Sequence, residues 1–168
     1  MKKVVWSWLI IGVIVGAAAL GATNFILHET STDEFCSSCH TNDAAKEWKE
    51  SRHYSNEYGV RVGCADCHMP QTFVPKMVRK VQALKEVYGH FVGTIDTPEK
   101  YEAHRKQMAE GEWARMKANG AAECRSCHYM ETINNPEKEY LAEMHKGALE
   151  SGEQICTDCH QGVAHKAP

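Results

Sequence analysis

The sequence predicts a mainly α-helical protein, with one N-terminal membrane helix followed by a small domain of short helices and loops. The residues from Val4 to Leu27 carry no charge. The remaining chain contains few alternating runs of β-branched residues, so little or no sheet is expected. A short motif occurs four times in the 168 residues, and all four copies lie after the apolar stretch.

The N-terminal stretch has the length of a membrane-spanning helix. Crossing a bilayer takes about 20 apolar residues, whereas the apolar part of a cleaved signal peptide has about 7–15. Lys2 and Lys3 precede the stretch, so the positive-inside rule keeps the N terminus cytoplasmic. Cleavage between Gly16 and Ala22, where small residues cluster, is the alternative. We expect residues 1–28 to form the anchor and residues 29–168 to lie outside the cytoplasm.

The repeated motif is Cys-x-x-Cys-His, and its four copies use all eight cysteines. The copies contain Cys36, Cys39 and His40; Cys64, Cys67 and His68; Cys124, Cys127 and His128; and Cys156, Cys159 and His160. In c-type haem attachment the thiols form thioethers to the porphyrin and the histidine binds iron, so the pattern predicts four covalently bound haem c groups. Zinc sites or four disulfides would also use every cysteine, but neither needs the repeated histidine.

Haem attachment indicates both the compartment and the kind of core. Bacteria attach c-type haem outside the cytoplasmic membrane, so we expect a single-pass inner-membrane protein with a periplasmic haem domain. Four porphyrins would supply most of the apolar core. The formal net charge is −3, and no basic run interleaved with aromatic residues indicates nucleic-acid binding.

The motifs fall into two pairs, at 36–68 and 124–160, joined by linker helices over 73–118. His53 lies 11 residues before Cys64, and His145 lies 11 residues before Cys156. These matching offsets predict a pseudo-repeat of two dihaem units.

A low-spin electron-transfer haem needs a second axial ligand, most often a neutral histidine. We predict His53, His145 and His165 as these distal ligands. His53 ends a predicted short helix that begins near Asp43, and His165 follows His160 too closely to bind the same iron.

Two predicted helices carry further histidines. His145 lies on a helix that should begin at Asn135 and Pro136 and end before Gly152. His104 lies on a helix predicted from Pro98 to Ala118, as either a ligand or a solvated side chain. One of the four irons therefore lacks a predicted second ligand.

Residues 73–91 have the pattern of a basic amphipathic helix, typical of a segment that lies on a bilayer surface. Such a helix could cover a site where quinol is oxidised. Glu86 is the candidate proton acceptor there, and Lys80 or Lys85 would stabilise the quinolate anion. Alternatively, the lysines contact only anionic lipid or haem propionates.

Seven segments of the chain resemble the NapC/NirT/NrfH family of membrane-anchored multihaem quinol dehydrogenases, and most closely its NapC branch. They are Glu34 to His40, Ser51 to Asn56, Gly59 to Pro70, Phe73 to Lys80, Lys85 to Gly89, Ile95 to Arg105 and Met144 to Lys166.

The resemblance implies oxidation of menaquinol or ubiquinol at the first haem, and electron transfer to a periplasmic nitrate or nitrite reductase in anaerobic respiration. It matches His53, His145 and His165 to distal ligands. Several relatives bind the first iron through a methionine two residues after the motif histidine, but Asn42 stands there in this chain. We therefore expect His40 to be the proximal ligand, with an open or weak sixth position. The alternatives are an electron relay fed by a separate dehydrogenase subunit, and a haem enzyme that reduces a small substrate itself.

Overall fold

The computed structural model describes residues 2–39, 43–128 and 139–168. The predicted mainly α class is confirmed, and the described ranges contain no strand. Their helices are α1 (Lys2–Glu29), α2 (Asp33–Cys39), α3 (Asp43–Lys49), α4 (Cys64–His68), α5 (Phe73–Gln82), α6 (Leu84–Phe91), α7 (Pro98–Ala118), α8 (Ala122–Arg125), α9 (Glu139–Ser151) and α10 (Cys156–Cys159).

The apolar N-terminal stretch forms one continuous helix, α1. With 28 residues it is about 42 Å long, which exceeds the hydrocarbon thickness of a bilayer. It is the one helix in the described ranges that is long and apolar enough to cross a membrane. The hydroxyls of Thr30 and Ser31 donate to the carbonyls of Ile26 and Leu27, both at 2.6 Å, and these bonds satisfy acceptors of the last turn.

The long helix of the linker has the predicted bounds. Thr97 caps α7 by accepting a hydrogen bond from the Lys100 N–H at 3.3 Å, and Pro98 occupies its first turn. After Ala118 the chain leaves the helix through Gly120, whose φ of +65° lies in the left-handed region.

The predicted helix from Asp43 to His53 is wrong at its C-terminal end. Helix α3 ends at Lys49, and His53 lies in the turn that follows. The chain turns there because Trp48 is held in place. Its indole N–H donates to the Val62 carbonyl at 2.9 Å, and its ring packs edge-on against Tyr54 at a centroid distance of 4.7 Å.

Two other predicted helices differ from the observed ones or are covered only in part. The helical pattern over 73–91 is divided into α5 and α6, which meet at Ala83. The predicted start of the His145 helix, Asn135 and Pro136, lies outside the described residues. Its predicted end is observed, since Gly152 has a φ of +68° directly after α9.

The polypeptide has little apolar core of its own. Within the described ranges, the buried apolar residues are Trp48, Met116 and Ala121. Several large apolar side chains outside α1 are exposed, including Phe35, Tyr58 and Met144. A folded domain of this size normally buries far more apolar surface, so the polypeptide fits a domain whose core is completed by a bulky apolar group.

Candidate haem sites

The first, second and fourth Cys-x-x-Cys segments lie on the short helices α2, α4 and α10, and the third begins on α8 and ends in the turn after it. The hydrogen bonds of the four segments alternate along the chain. In the first and third segments, the Ser38 and Ser126 hydroxyls each donate to the carbonyl three residues earlier, at 2.7 Å. In the second and fourth, the Asp66 and Asp158 carboxylates each accept the backbone N–H three residues earlier, at 2.8 and 2.9 Å. This alternation supports a repeat of a two-motif unit.

Neighbouring motifs are in contact. Helix α2 packs on α4, α4 packs on α8, and α10 packs on α7. The side chains of Cys36 and Cys64 lie within hydrogen-bond reach of each other. In the second half, those of Cys124 and Cys156 do the same. The motifs therefore follow one another in space as they do along the chain.

The zinc and disulfide interpretations of the cysteines find no support in this geometry. No disulfide joins any two of the eight cysteines. In the part of the chain that the structure describes, no three His, Cys, Asp or Glu side chains gather as metal ligands.

Six of the predicted iron ligands form three close pairs. The ring centroids of His53 and His128 are 6.2 Å apart, those of His68 and His165 are 6.2 Å apart, and those of His145 and His160 are 6.0 Å apart. A bond from a metal to an imidazole nitrogen is about 2 Å long, so two rings that bind one metal from opposite sides have centroids roughly 6 Å apart. Each pair therefore leaves the space that one iron needs. Each also joins one motif histidine to one predicted distal histidine.

Hydrogen bonds orient several of these rings. His53 Nδ1 lies 3.2 Å from the Val163 carbonyl oxygen, and His145 Nδ1 lies 2.7 Å from that of Leu141. A carbonyl only accepts, so Nδ1 is the donor in both rings. In a neutral imidazole, Nε2 is then left as the nitrogen with a free lone pair for a metal.

The remaining histidine predictions have different outcomes. His40 lies outside the described residues. His104 belongs to none of the three pairs, and its Nδ1 donates to the Lys100 carbonyl one turn earlier, at 2.8 Å. His145 makes the same type of contact, so this hydrogen bond is compatible with both predicted alternatives for His104, an iron ligand and a solvated side chain.

The three residues predicted to bind quinol have different surroundings. The Lys80 ammonium donates to the backbone carbonyl of Thr30 and, at 2.8 Å, to its hydroxyl. Burial lowers the pKa of Lys80 below its ordinary value. Glu86 pairs with Arg79 at 3.0 Å, and the Lys85 side chain is exposed.

An open cleft of about 390 Å³ lies between α5 and the end of α7. Val74 and Val78 line one side of it, and Arg115 and Ala118 line the other. None of Lys80, Lys85 and Glu86 is part of its lining.

Two arginines of α7 make buried contacts with carboxylates that were not predicted from the sequence. Arg105 binds the carboxylate of Glu47 through two hydrogen bonds of 2.7 and 2.9 Å. Arg115 binds Glu112, whose carboxylate in turn lies 3.0 Å from His68 Nδ1. A signal was present, because a glutamate stands three residues before each arginine on one helix.

The whole chain, residues 1–168, matches the model of the NapC/NirT cytochrome c family, N-terminal region. The chain belongs to the NapC/NirT cytochrome c family. Members of a cytochrome c family transfer electrons through covalently bound haem c, and the apolar helix α1 is consistent with a membrane anchor.

Relatives in this family match nearly the full length. The chain is 46% identical to the cytochrome c-type protein NapC of Escherichia coli K12, over 99% of this chain and 90% of the relative. It is 45% identical to the denitrification system component NirT of Stutzerimonas stutzeri, over 95% of this chain and 81% of the relative.

A solved structure shares the fold. A chain in the crystal structure of the cytochrome c nitrite reductase NrfHA complex bound to the HQNO inhibitor matches with a TM-score of 0.52 and 21% identity. The match covers 95% of this chain and 92% of that chain. At this identity the likeness concerns the fold alone.

Proposed function

We propose that this protein is a membrane-anchored tetrahaem cytochrome c that oxidises quinol at the outer surface of the bacterial inner membrane and passes the electrons to a periplasmic reductase. The observation that carries the proposal is the position of Lys80. Its ammonium contacts Thr30, the residue directly after α1, and it lies near Cys36 of the first motif. A cation is thus held where the anchor meets the first haem site.

The four Cys-x-x-Cys pairs would hold four haems, and the three histidine pairs would bind three of the irons. When bound, haem iron supplies one-electron redox chemistry. The second, third and fourth motif histidines, His68, His128 and His160, would each hold one of these irons. Their respective partners His165, His53 and His145 would supply the second ligand. We assign His40 to the first iron and no side chain to its sixth position.

Quinol oxidation releases two electrons and two protons, so the site needs a proton acceptor and a group that stabilises the anion. The Lys80 ammonium already donates to two oxygens of Thr30. It can donate in the same way to a quinol oxygen as that oxygen loses its proton. Glu86 is our candidate proton acceptor, and its pairing with Arg79 holds the carboxylate on α6.

Helices α5 and α6 suit the bilayer surface. They expose a row of apolar side chains, namely Phe73, Val74, Val78, Val81, Leu84, Tyr88 and Phe91. The Lys80–Thr30 contact places α5 beside the end of α1. Apolar side chains at this level would enter the headgroup region, while the lysines of α5 and α6 contact lipid phosphates.

Two observations support the periplasmic location of the haem domain and the class of its electron acceptor. Lys2 and Lys3 favour a cytoplasmic N terminus, which directs residues after α1 to the periplasm. The relatives named NapC and NirT, the second a denitrification system component, favour a reductase of the nitrate or nitrite type.

Anaerobic stopped-flow reduction by menaquinol, with the anchored holoprotein in liposomes, tests the proposal. We expect rapid haem reduction in the wild type, and a loss of at least tenfold in rate in Lys80→Ala and Glu86→Gln. Lys85→Ala distinguishes the two candidate lysines, since the exposed Lys85 should have a smaller effect. The control is Lys106→Ala, whose side chain is 77% exposed on α7.

Two results would contradict the proposal. If menaquinol leaves the haems oxidised while dithionite reduces all four, the protein is an electron relay and its donor is another protein. If the rate in Lys80→Ala equals that in Lys106→Ala, quinol is not bound at Lys80.

A further inference from the structure

Among the described residues, the second motif histidine, His68, is the paired histidine with a carboxylate as its hydrogen-bond partner. Its Nδ1 lies 3.0 Å from a carboxylate oxygen of Glu112 on α7. The corresponding partners of His53 and His145 are neutral backbone carbonyls. A charged acceptor makes a stronger hydrogen bond and draws the imidazole N–H proton towards itself.

Arg115 holds this carboxylate in place. Its Nε and one terminal nitrogen donate to the same Glu112 oxygen at 2.9 and 2.7 Å. The arginine also donates to the Cys67 carbonyl at 2.9 Å and to Glu123 at 2.7 Å. The guanidinium thus joins Glu112 to the backbone of the second motif and to the residue directly before Cys124.

The charged groups around Glu112 are largely buried and make several hydrogen bonds each. The side chains of Glu112 and Arg115 are only 22% and 19% exposed, and that of Glu123 is 1% exposed. Asn119 donates to both oxygens of Glu123, at 2.9 and 3.0 Å. Because each member has several partners, Glu112 has little freedom to leave His68.

We infer that Glu112 is a positioning residue for the second haem, which fixes the ring orientation of His68 and increases electron donation from His68 to iron. The inference rests on the proposed ligation of that iron by His68 and His165. A stronger donor stabilises the ferric form, so the carboxylate should lower the reduction potential of this haem relative to the others.

The test is a spectroscopic redox titration of the solubilised full-length holoprotein and three variants. Glu112→Gln keeps an acceptor but removes the charge. Glu112→Asp keeps the charge for Arg115 but withdraws the oxygen from His68 by one methylene. We expect one of the four midpoint potentials to rise in both variants, with the other three and the covalent haem content unchanged.

The matched control is Glu110→Gln, which removes the same charge from the same helix. Glu110 is 58% exposed, and the contact described for its side chain is Lys106 at 3.9 Å. All four potentials should keep their wild-type values in this control. Wild-type potentials in both Glu112 variants would overturn the inference. An equal shift in Glu110→Gln, or a shift in Glu112→Gln without one in Glu112→Asp, would overturn it too, because charge alone would then be responsible.

A fourth variant separates this inference from the ligation on which it rests. His165→Ala leaves the Cys-x-x-Cys-His motif intact and should convert one low-spin haem to high spin. If the number of low-spin haems does not change, the proposed His68–His165 ligation fails. If one low-spin haem is lost while the Glu112 variants keep wild-type potentials, only the role of Glu112 fails.

Discussion

Arg105 holds the C-terminal segment that carries His165, and its replacement by methionine should loosen that segment. The side chains of Arg105 and Glu47 are only 9% and 8% exposed. Arg105 also donates to the Lys166 carbonyl at 3.1 Å, while the Lys166 N–H donates to Glu47 at 3.0 Å. The pair thus binds both backbone groups of the residue after His165.

The expected loss of unfolding free energy follows from the carboxylate that Arg105→Met leaves without its cationic partner. Glu47 stays buried as a carboxylate with the Lys166 N–H as a remaining donor. Removing one partner of a buried ion pair costs about 3–5 kcal/mol, and we expect the lower end because Glu102 on the other side of Arg105 is exposed. A loss of about 3 kcal/mol lowers the Tm of a chain of this size by about 10 °C.

Thermal unfolding followed at two wavelengths measures this effect. Far-UV circular dichroism reports the helices, and Soret absorbance reports iron ligation, since the haems stay covalently attached. In Arg105→Met the Soret change should come first on heating, because the His165 segment is released before the helices melt.

Two further variants test whether the unpaired charge of Glu47 causes the loss of Tm. Arg105→Met combined with Glu47→Met should recover much of the lost Tm, because the uncompensated charge is gone. Glu102→Gln should change the Tm far less than Arg105→Met. A Tm of Arg105→Met within about 2 °C of the wild type, or a double variant as unstable as the single one, would refute the reasoning.

Three other predictions follow from the described contacts. His145→Ala should convert one haem to high spin without loss of covalent haem, and an unchanged low-spin absorption spectrum would contradict the assignment. The His145 and His160 rings are nearly parallel at 9°, and the His53 and His128 rings nearly perpendicular at 78°. Electron paramagnetic resonance of the oxidised protein should therefore show a rhombic low-spin signal for the first pair and a highly anisotropic one for the second; two identical signals would refute the pairing. Burial raises the pKa of Glu47, but hydrogen bonds from Arg105 and the Lys166 N–H outweigh it and lower the pKa below its ordinary 4.5. The stability from this pair is therefore present above pH 4.5 and lost as the pH falls through the lowered pKa. Glu47→Gln should have a Tm that depends less on pH in that window.

Local features were predictable because short-range chemistry produces them. An uncharged stretch of membrane-spanning length becomes α1. The cap at Thr97, with Pro98 in the first turn and Gly120 after the end, bounds α7. The motif histidines were identified by their position after a second cysteine, which needs no knowledge of the fold. The end of α3 was mispredicted, because the packing of Trp48 overrides the helical preference of the residues after it.

The arrangement of histidines belongs to the tertiary structure. His145 lies beside His160, in the next motif along the chain, whereas His53 crosses to His128 in the other half and His165 returns to His68. A matching offset of 11 residues before Cys64 and Cys156 therefore marks His53 and His145 as alike, but their partners differ.

The sequence by itself determined the four Cys-x-x-Cys-His motifs, the long apolar helix and the helical class, since each depends on residues close together in the chain. Only the tertiary structure decided which histidine faces which motif, which carboxylate approaches His68 and which lysine lies at the end of α1. Those contacts join residues far apart in the chain, so they depend on how the helices pack. No local pattern specifies that packing.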